Sequence, residues 1–198
     1  MGLELDEPQA AKLITHLDLL DEWGERMNLT AIRERDQQLT KHVLDSLSVL
    51  PFLRGTRVAD VGSGAGFPGI PLAVVAPALH FTLIESTGKK CRFLEHVRDQ
   101  LGLANVEVVQ SRAEAHKPAV RYDTVIARAV GPVAELVRYA GYLVAGGGRL
   151  LAMKGRYPES ELAAKLNGWK LVAVHRIAVA GLDEERHLVE LAHSHEKL

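Results

Sequence analysis

A strand that runs straight into alternating glycines, and then into a helix, constrains this chain more than any other feature. The segment reads Asp60-Val61-Gly62-Ser63-Gly64-Ala65-Gly66-Phe67-Pro68-Gly69. Glycine suits such a turn for two reasons. The backbone must take angles that a Cβ forbids, and a ligand must approach the main chain closely. A turn of this kind belongs at the carboxyl end of a central strand in an open α/β sheet.

The rest of the chain agrees with that placement. From position 57 onwards, short apolar strands alternate with helical patterns. Strands are expected at 57–61, 80–85, 106–110, 124–127 and 149–153, and helices at 68–76, 88–101 and 133–143. This alternation gives a parallel sheet covered by helices. The end departs from it. Segments 169–179 and 187–191 are both β-rich, and only about seven residues separate them. That gap is too short for a helical crossover, so the two should pair antiparallel.

Before the glycine turn the pattern is helical. Leu13, Ile14, Leu17, Leu20 and Met27 recur at steps that put them on one face. A second helix is expected over 37–50, with Val43, Leu44, Leu47 and Leu50 as its apolar stripe and Pro51 as its end. Asn28-Leu29-Thr30 makes a loop between them. The expectation is one unit over 1–198: a helical extension at 1–55 and an α/β core at 56–198. The fold class is a Rossmann-like α/β fold of the methyltransferase type, a mostly parallel seven-stranded sheet closed by an antiparallel C-terminal pair.

Two cofactor readings compete for the turn. Gly64-Ala65-Gly66-Phe67-Pro68-Gly69 matches the G-x-G-x-x-G pattern of dinucleotide sites. One step earlier, Asp60 to Gly66 matches the acid-x-G-x-G-x-G pattern of S-adenosylmethionine (SAM) methyltransferases. Charge favours the second. A pyrophosphate is anionic, and an Asp at the ligand end of the strand repels it. SAM carries an ammonium and a sulfonium, which a carboxylate suits. Asp60, Gly62, Ser63 and Gly64 are the candidate contacts in the turn. Glu85 ends the next strand, where an acid accepts hydrogen bonds from ribose hydroxyls. In Gln110-Ser111-Arg112-Ala113-Glu114, the Ala113 backbone or Glu114 is placed to read an adenine edge.

The acceptor should lie beyond the fourth strand, at Ile126-Ala127-Arg128-Ala129. No Asp or Asn followed by Pro-Pro and an aromatic stands there to assist an exocyclic amine. Cys91 lies on the helix after the second strand, away from a base-carbon site, and reads as a small buried residue. A ring nitrogen with an in-plane lone pair needs orientation more than a base. The absence of an obvious base is compatible with such a target.

The motifs resemble one family. Asn28-Leu29-Thr30, His42-Val43-Leu44-Asp45-Ser46, the Asp60 to Gly69 turn with Ile70-Pro71-Leu72, Gly88-Lys89-Lys90 with Arg92-Phe93-Leu94, Gln110-Ser111-Arg112, Ala127-Arg128-Ala129, Lys154-Gly155 and Glu185-Arg186-His187 follow the order of the bacterial small-subunit rRNA methyltransferase G family, also called glucose-inhibited division protein B. The resemblance runs from about Trp23 to Val189. It implies methyl transfer from SAM to N7 of a guanine in a decoding-region loop of 16S rRNA. It also implies SAM contacts at Gly62 and Phe67, adenine contacts at Ala113 and Glu114, and Arg128 as the catalytic residue, shared between cofactor and acceptor. Phe67 departs from the smaller apolar residue common there, which should alter cofactor packing more than chemistry.

RNA binding needs cations on the ligand side of the sheet. The candidates are Lys154, Arg156, Arg186 and His187, all at strand ends or in late loops, together with Arg128. Lys89, Lys90 and Arg92 serve equally well as a solvated face. His42 and Asp45 stand three apart on one helix, a spacing that suggests a shared hydrogen bond, and the resemblance puts them on the acceptor side. His16, His96, His116, His193 and His195 lack partners at metal-ligand spacing, so no metal is expected.

Bulk properties set the outer limits. A net charge of −1 argues against nucleic-acid binding by bulk charge and leaves room for a local basic face. No apolar run reaches the roughly 18 residues of a membrane span, and the first residues lack the basic-then-apolar layout of a signal peptide. One cysteine fits a reducing cytoplasm. A monomer that acts on 16S rRNA or the 30S subunit is expected. Two other functions stay open on the residues alone: an NAD-dependent oxidoreductase, from the dinucleotide pattern, and a non-catalytic SAM-binding ribosome assembly factor, from the missing base.

Overall fold

Helix α1, Glu7–Met27, begins at a capping box, in which the Asp6 carboxylate accepts from the Gln9 amide at 2.7 Å and the Gln9 side chain accepts from the Asp6 amide at 3.2 Å. It ends at Asn28, whose φ of 47° is the left-handed conformation that stops helices. The computed structural model that shows this describes residues 4–194, without the side chains of Glu25 and Arg26. The outer ends of the expected 1–198 unit, and His195 with them, lie outside the described residues.

The buried stripe of α1 is Leu13, His16, Leu17 and Leu20. Ile14 does not belong to it and is 45% exposed. The stripe steps by three and four from Leu13, and His16 occupies the position that the apolar count skipped.

The helix expected over 37–50 is present as a continuous helical run over 35–47, widened in the middle by a π turn. Helix α2, Arg35–Gln38, leads into a π-helical turn, Leu39–Leu44, and then into α3, Asp45–Leu47. The Ser46 and Ser48 hydroxyls donate back to the carbonyls of His42 and Asp45, competing for groups that a regular helix would use. Pro51 does not end a helix; it sits in a following 3-10 turn, Leu50–Phe52.

Among the described residues the sheet has seven strands: β1 Arg57–Val61, β2 His80–Glu85, β3 Val106–Gln110, β4 Tyr122–Arg128, β5 Val144–Lys154, β6 Trp169–Ile177 and β7 Arg186–His193. Their order is β3-β2-β1-β4-β5-β7-β6. The first five are parallel, and β7 pairs antiparallel with both β5 and β6. The expected mixed sheet and its closing pair are therefore present. Helices α4, Gly69–Val75, α5, Gly88–Leu101, and α6, Val133–Ala140, make the crossovers, and a short α7, Glu159–Leu162, follows β5.

Two apolar clusters fill the faces. One joins Leu13, Leu17 and Leu20 of α1 to Ile70, Phe81, Phe93 and Leu94. The other joins Val125 and Ile84 to Leu136, Val137 and Val189. The chain reverses direction across the sheet between β1 and β4. Ligands bind beyond the carboxyl ends of strands at such a switch point, and the glycine turn lies there.

Candidate functional site

Gly62, Gly64 and Gly66 have φ of 72°, 58° and 89°, the left-handed region open to glycine. A Cβ on Gly62 would also meet Val130 Cγ1 at 2.8 Å. The turn is tied to β2. The Gly62 and Ser63 amides donate to the Ile84 carbonyl at 2.8 and 3.3 Å. Glu85 is buried, and its two oxygens accept from the Gly64 amide at 3.0 Å and the Thr87 amide at 2.8 Å. Each oxygen keeps a second lone pair for a hydroxyl. Ser63 turns its own hydroxyl back to the Asp60 carbonyl at 2.9 Å, so its side chain closes the turn.

A cavity of about 240 Å³ opens beside the turn, lined by Gly62, Glu85, Ser86, Ser111, Ala113, Glu114, Val130 and Tyr139. Its far wall is a 3-10 turn, Ala113–Ala115, held by the Tyr142 hydroxyl, which lies 2.6 Å from the Ala113 carbonyl.

Asp60 lies fully buried under the turn. Its Oδ2 accepts from the Gly69 amide at 3.0 Å, and Oδ1 is buried without a partner. Burial lifts its pKa to about 6, against the pull of the Gly69 amide and the Arg128 charge. The first turn of α4 has no amide left for a pyrophosphate. Gly69 is spent on Asp60, Ile70 donates to the Gly66 carbonyl at 2.7 Å, and residue three is Pro71. The dinucleotide reading therefore loses its anion site.

A larger cavity of about 880 Å³ lies on the other side of β4, lined by Lys41, His42, Asp45, Arg128, Ala129, Lys154, Glu161, Glu184 and Arg186, among others. Asp45 is its hub. Its buried carboxylate takes Arg128 Nη1 at 3.3 Å on one oxygen and Arg186 Nε at 3.1 Å on the other. Burial raises the Asp45 pKa, and the two guanidinium groups oppose that rise. Arg128 also donates to the Lys41 carbonyl at 3.1 Å. The next residue, Ala129, has a φ of 57°, a conformation costing a non-glycine residue about 1 kcal/mol or more. It turns the chain so that Arg128 lines the large cavity while Val130 lines the small one.

Phe67 sits between the two halves. Its ring stacks on His16 at 4.5 Å and on His42 at 4.7 Å, and the Arg128 guanidinium carbon lies 5.3 Å from its centroid. His16 Nε2 is 2.9 Å from the Ala65 carbonyl in the glycine turn. Burial lowers both histidines to a pKa of about 4, so both rings are neutral at pH 7.

The family model for rRNA small subunit methyltransferase G, GidB, matches residues 9–189. The chain belongs to the GidB family. It is 44% identical to the Ribosomal RNA small subunit methyltransferase G of Nitrosococcus oceani over 96% of this chain and 89% of that one. It is 49% identical to the protein of the same name from Stenotrophomonas maltophilia over 95% and 89%. Among solved structures, Aeropyrum pernix fibrillarin, crystallised with natively bound SAM, superposes with a TM-score of 0.58 at 17% identity, over 75% of this chain and 73% of that one. That likeness is one of fold.

Within this GidB-family site, the expected residues divide into two groups. Gly62, Glu85, Ala113 and Glu114 line the small cavity together. Arg128, Lys154, Arg186 and His42 line the large one. Asp60 and Ser63 brace the turn from behind. Phe67 is buried and lines neither cavity; its ring is stacked between His16 and His42. Arg156 is exposed and lines neither cavity. His187 is buried, with Nδ1 3.0 Å from the Gly155 carbonyl and its ring edge-on to Tyr157; it pins the loop after β5. The hydrogen bond expected between His42 and Asp45 is absent. His42 Nε2 pairs with Thr30 Oγ1 at 2.9 Å, because the widened π turn separates side chains three apart.

Lys89 and Arg92 are exposed, and with Lys90 they open α5 and do not line the larger cavity. Cys91 is buried, its Sγ lies 3.3 Å from the Glu85 carbonyl, and burial raises its pKa. No group of three or more potential metal ligands occurs among the described residues. No helix among them is long and apolar enough to cross a membrane. Sequence reasoning missed His16, Lys41, Glu161 and Glu184. Only His16 left a signal, through its place on the α1 stripe.

Proposed function

We propose that this chain transfers the methyl group of SAM to N7 of a guanine in 16S rRNA, acting as a cytoplasmic monomer on the 30S subunit. One observation carries the reading: segment 128–131 lines both cavities, with Val130 in the small one and Arg128, Ala129 and Gly131 in the large one. A donor in the first and an acceptor in the second would meet at Arg128.

The residues fit SAM better than a dinucleotide. Asp60 carries a buried oxygen with no donor, and a cationic ligand nearby answers that need where a pyrophosphate would worsen it. Glu85 and the Gly62 backbone would hold the ribose side, and Ala113 and Glu114 the adenine. When bound, SAM supplies an electrophilic methyl group on a sulfonium.

The protein's part is then orientation. Guanine N7 is unprotonated at neutral pH and needs no base. His42 is neutral there, and its Nε2 is taken up by the Thr30 hydroxyl. Arg128 engages its Nη1 with Asp45 and Lys41, and among the described residues its Nη2 is uncommitted. A planar guanidinium fixed in this way suits a carbonyl such as guanine O6. Lys154 and Arg186 would meet the RNA backbone, with Arg156 at the rim.

The test is incubation with labelled SAM and 30S subunits that lack the modification. Label is expected in 16S rRNA at one guanine N7. Label on another base position, or in protein, would replace the substrate assignment. SAM binding without any product would favour the non-catalytic assembly factor.

A further inference from the structure

The large cavity carries four cations, Lys41, Arg128, Lys154 and Arg186, against three carboxylates. Its net charge is therefore only +1 with His42 neutral. That is little for a face that receives a polyanion. The three acids are not equivalent. Asp45 is buried and holds two arginines in place. Glu161 accepts from the Val133 amide at 2.8 Å as well as pairing with Lys154 at 2.7 Å, so it also anchors the start of α6.

Glu184 is different. It stands on the turn between β6 and β7 and is exposed. One of its oxygens lies 2.7 Å from Lys41 Nζ and the other 3.1 Å from Arg186 Nη2. Both interactions are ion pairs open to solvent, a type worth little to a fold. Two cations thus converge from the π turn and from β7 on one carboxylate that, among the described residues, holds nothing else.

Building on the rRNA reading above, we propose that Lys41 and Arg186 form a seat for a phosphodiester of the substrate strand, and that Glu184 fills this seat as a stand-in which the RNA displaces. A phosphate presents the same paired oxygens to the same two donors. Arg186 stays tethered by Asp45, so the seat keeps its shape when Glu184 leaves. Lys41 also bonds Arg128 through its carbonyl, which places the seat one residue from the reaction point. Glu184 tunes affinity: it lowers the attraction for arbitrary polyanions and leaves the seat open to a strand that brings further contacts.

The experiment measures the KM for unmodified 30S subunits, the SAM affinity and the salt dependence of transfer. It compares wild type, Glu184→Gln, Asp183→Asn and the Lys41→Gln/Glu184→Gln pair. Asp183 is an exposed neighbour, so its variant removes the same charge without vacating the seat. Glu184→Gln is expected to lower KM by about threefold to tenfold, with SAM affinity unchanged and a steeper loss of affinity with salt. Asp183→Asn should change KM by less than about twofold, and the double variant should lose the gain. An unchanged or higher KM in Glu184→Gln overturns the seat and leaves the rRNA reading intact. The same fall in both single variants also overturns it, since net charge alone would then explain the effect. Should wild type label no subunit, the rRNA reading falls. Calorimetry with inorganic pyrophosphate then tests the seat by itself: tighter binding to Glu184→Gln supports it, and equal binding overturns it.

Discussion

The two cavities on either side of β4 are built by opposite means. The small one is shaped by backbone: it opens beside a turn of three glycines with positive φ, whose amides are tied to the neighbouring strand and to one buried acid. The large one is made of side chains: a carboxylate with two arginines, three further ion pairs, and an aromatic stack beside them. Backbone geometry holds a ligand in one pose whatever the state of the surface. Charged side chains exchange partners. A small cofactor needs the first kind of site and a polyanion needs the second.

The sharpest way to break this division is Arg128→Ala. Transfer is expected to fall by about 100-fold or more, while SAM affinity changes by less than about threefold. Single-turnover kinetics with calorimetry separates the two, and matching losses would make Arg128 a cofactor residue. The mirror experiment is Gly62→Ala. A positive φ and the approach of Val130 both oppose the new Cβ, so SAM binding should weaken by roughly tenfold or more. RNA affinity measured without SAM should stay within about twofold.

Phe67 tests whether the halves are independent. Phe67→Leu keeps an apolar filler and removes the stack with His16 and His42. We expect kcat to fall by about fivefold with little change in the KM for SAM. A rise in that KM alone would return Phe67 to the cofactor half.

The smallest effect is in stability against pH. In the folded protein His16 and His42 titrate near 4 because they are buried, against an ordinary value of 6.5. Between these values the unfolded chain takes protons that the folded rings refuse, so stability is lost as pH falls from about 6.5 towards 4. Asp60 opposes this. Its folded value of about 6 exceeds the ordinary 3.8, so it adds stability over the lower part of the same window. Two rings outweigh one carboxyl. Wild-type Tm should drop on the order of 5 °C between pH 7 and 5, and that of Asp60→Asn should drop further. Parallel curves for the two proteins would mean that Asp60 does not titrate in this range.

The same contrast explains what could be read in advance. The turn from Asp60 to Gly69 was legible because a backbone shape dictates residue type. The parallel strands followed from alternation and the antiparallel pair from a short gap, whereas their order in the sheet came only with the structure. The extent of β5 was not legible either, because it starts in Val144-Ala145-Gly146-Gly147-Gly148, which looks like a turn. The acceptor half was legible only in part. Arg128 and Arg186 could be named as cations and Asp45 as a helix acid, but helical spacing pairs Asp45 with His42 and not with the two arginines it holds. Lys41 and Glu184 meet although 143 positions separate them. No local pattern encodes such a meeting; it arises only when β7 docks beside β5.

The shared carboxylate of Asp45 has a mechanical consequence. Arg128 emerges from a parallel strand at the centre of the sheet, and Arg186 from the reversed strand near its edge. One short side chain leashes both. A pull on the outer hairpin would be transmitted through that leash to the Arg128 guanidinium, which the proposed function sets between donor and acceptor. On that reading, a grip at the edge and the chemistry at the centre would be two ends of one lever.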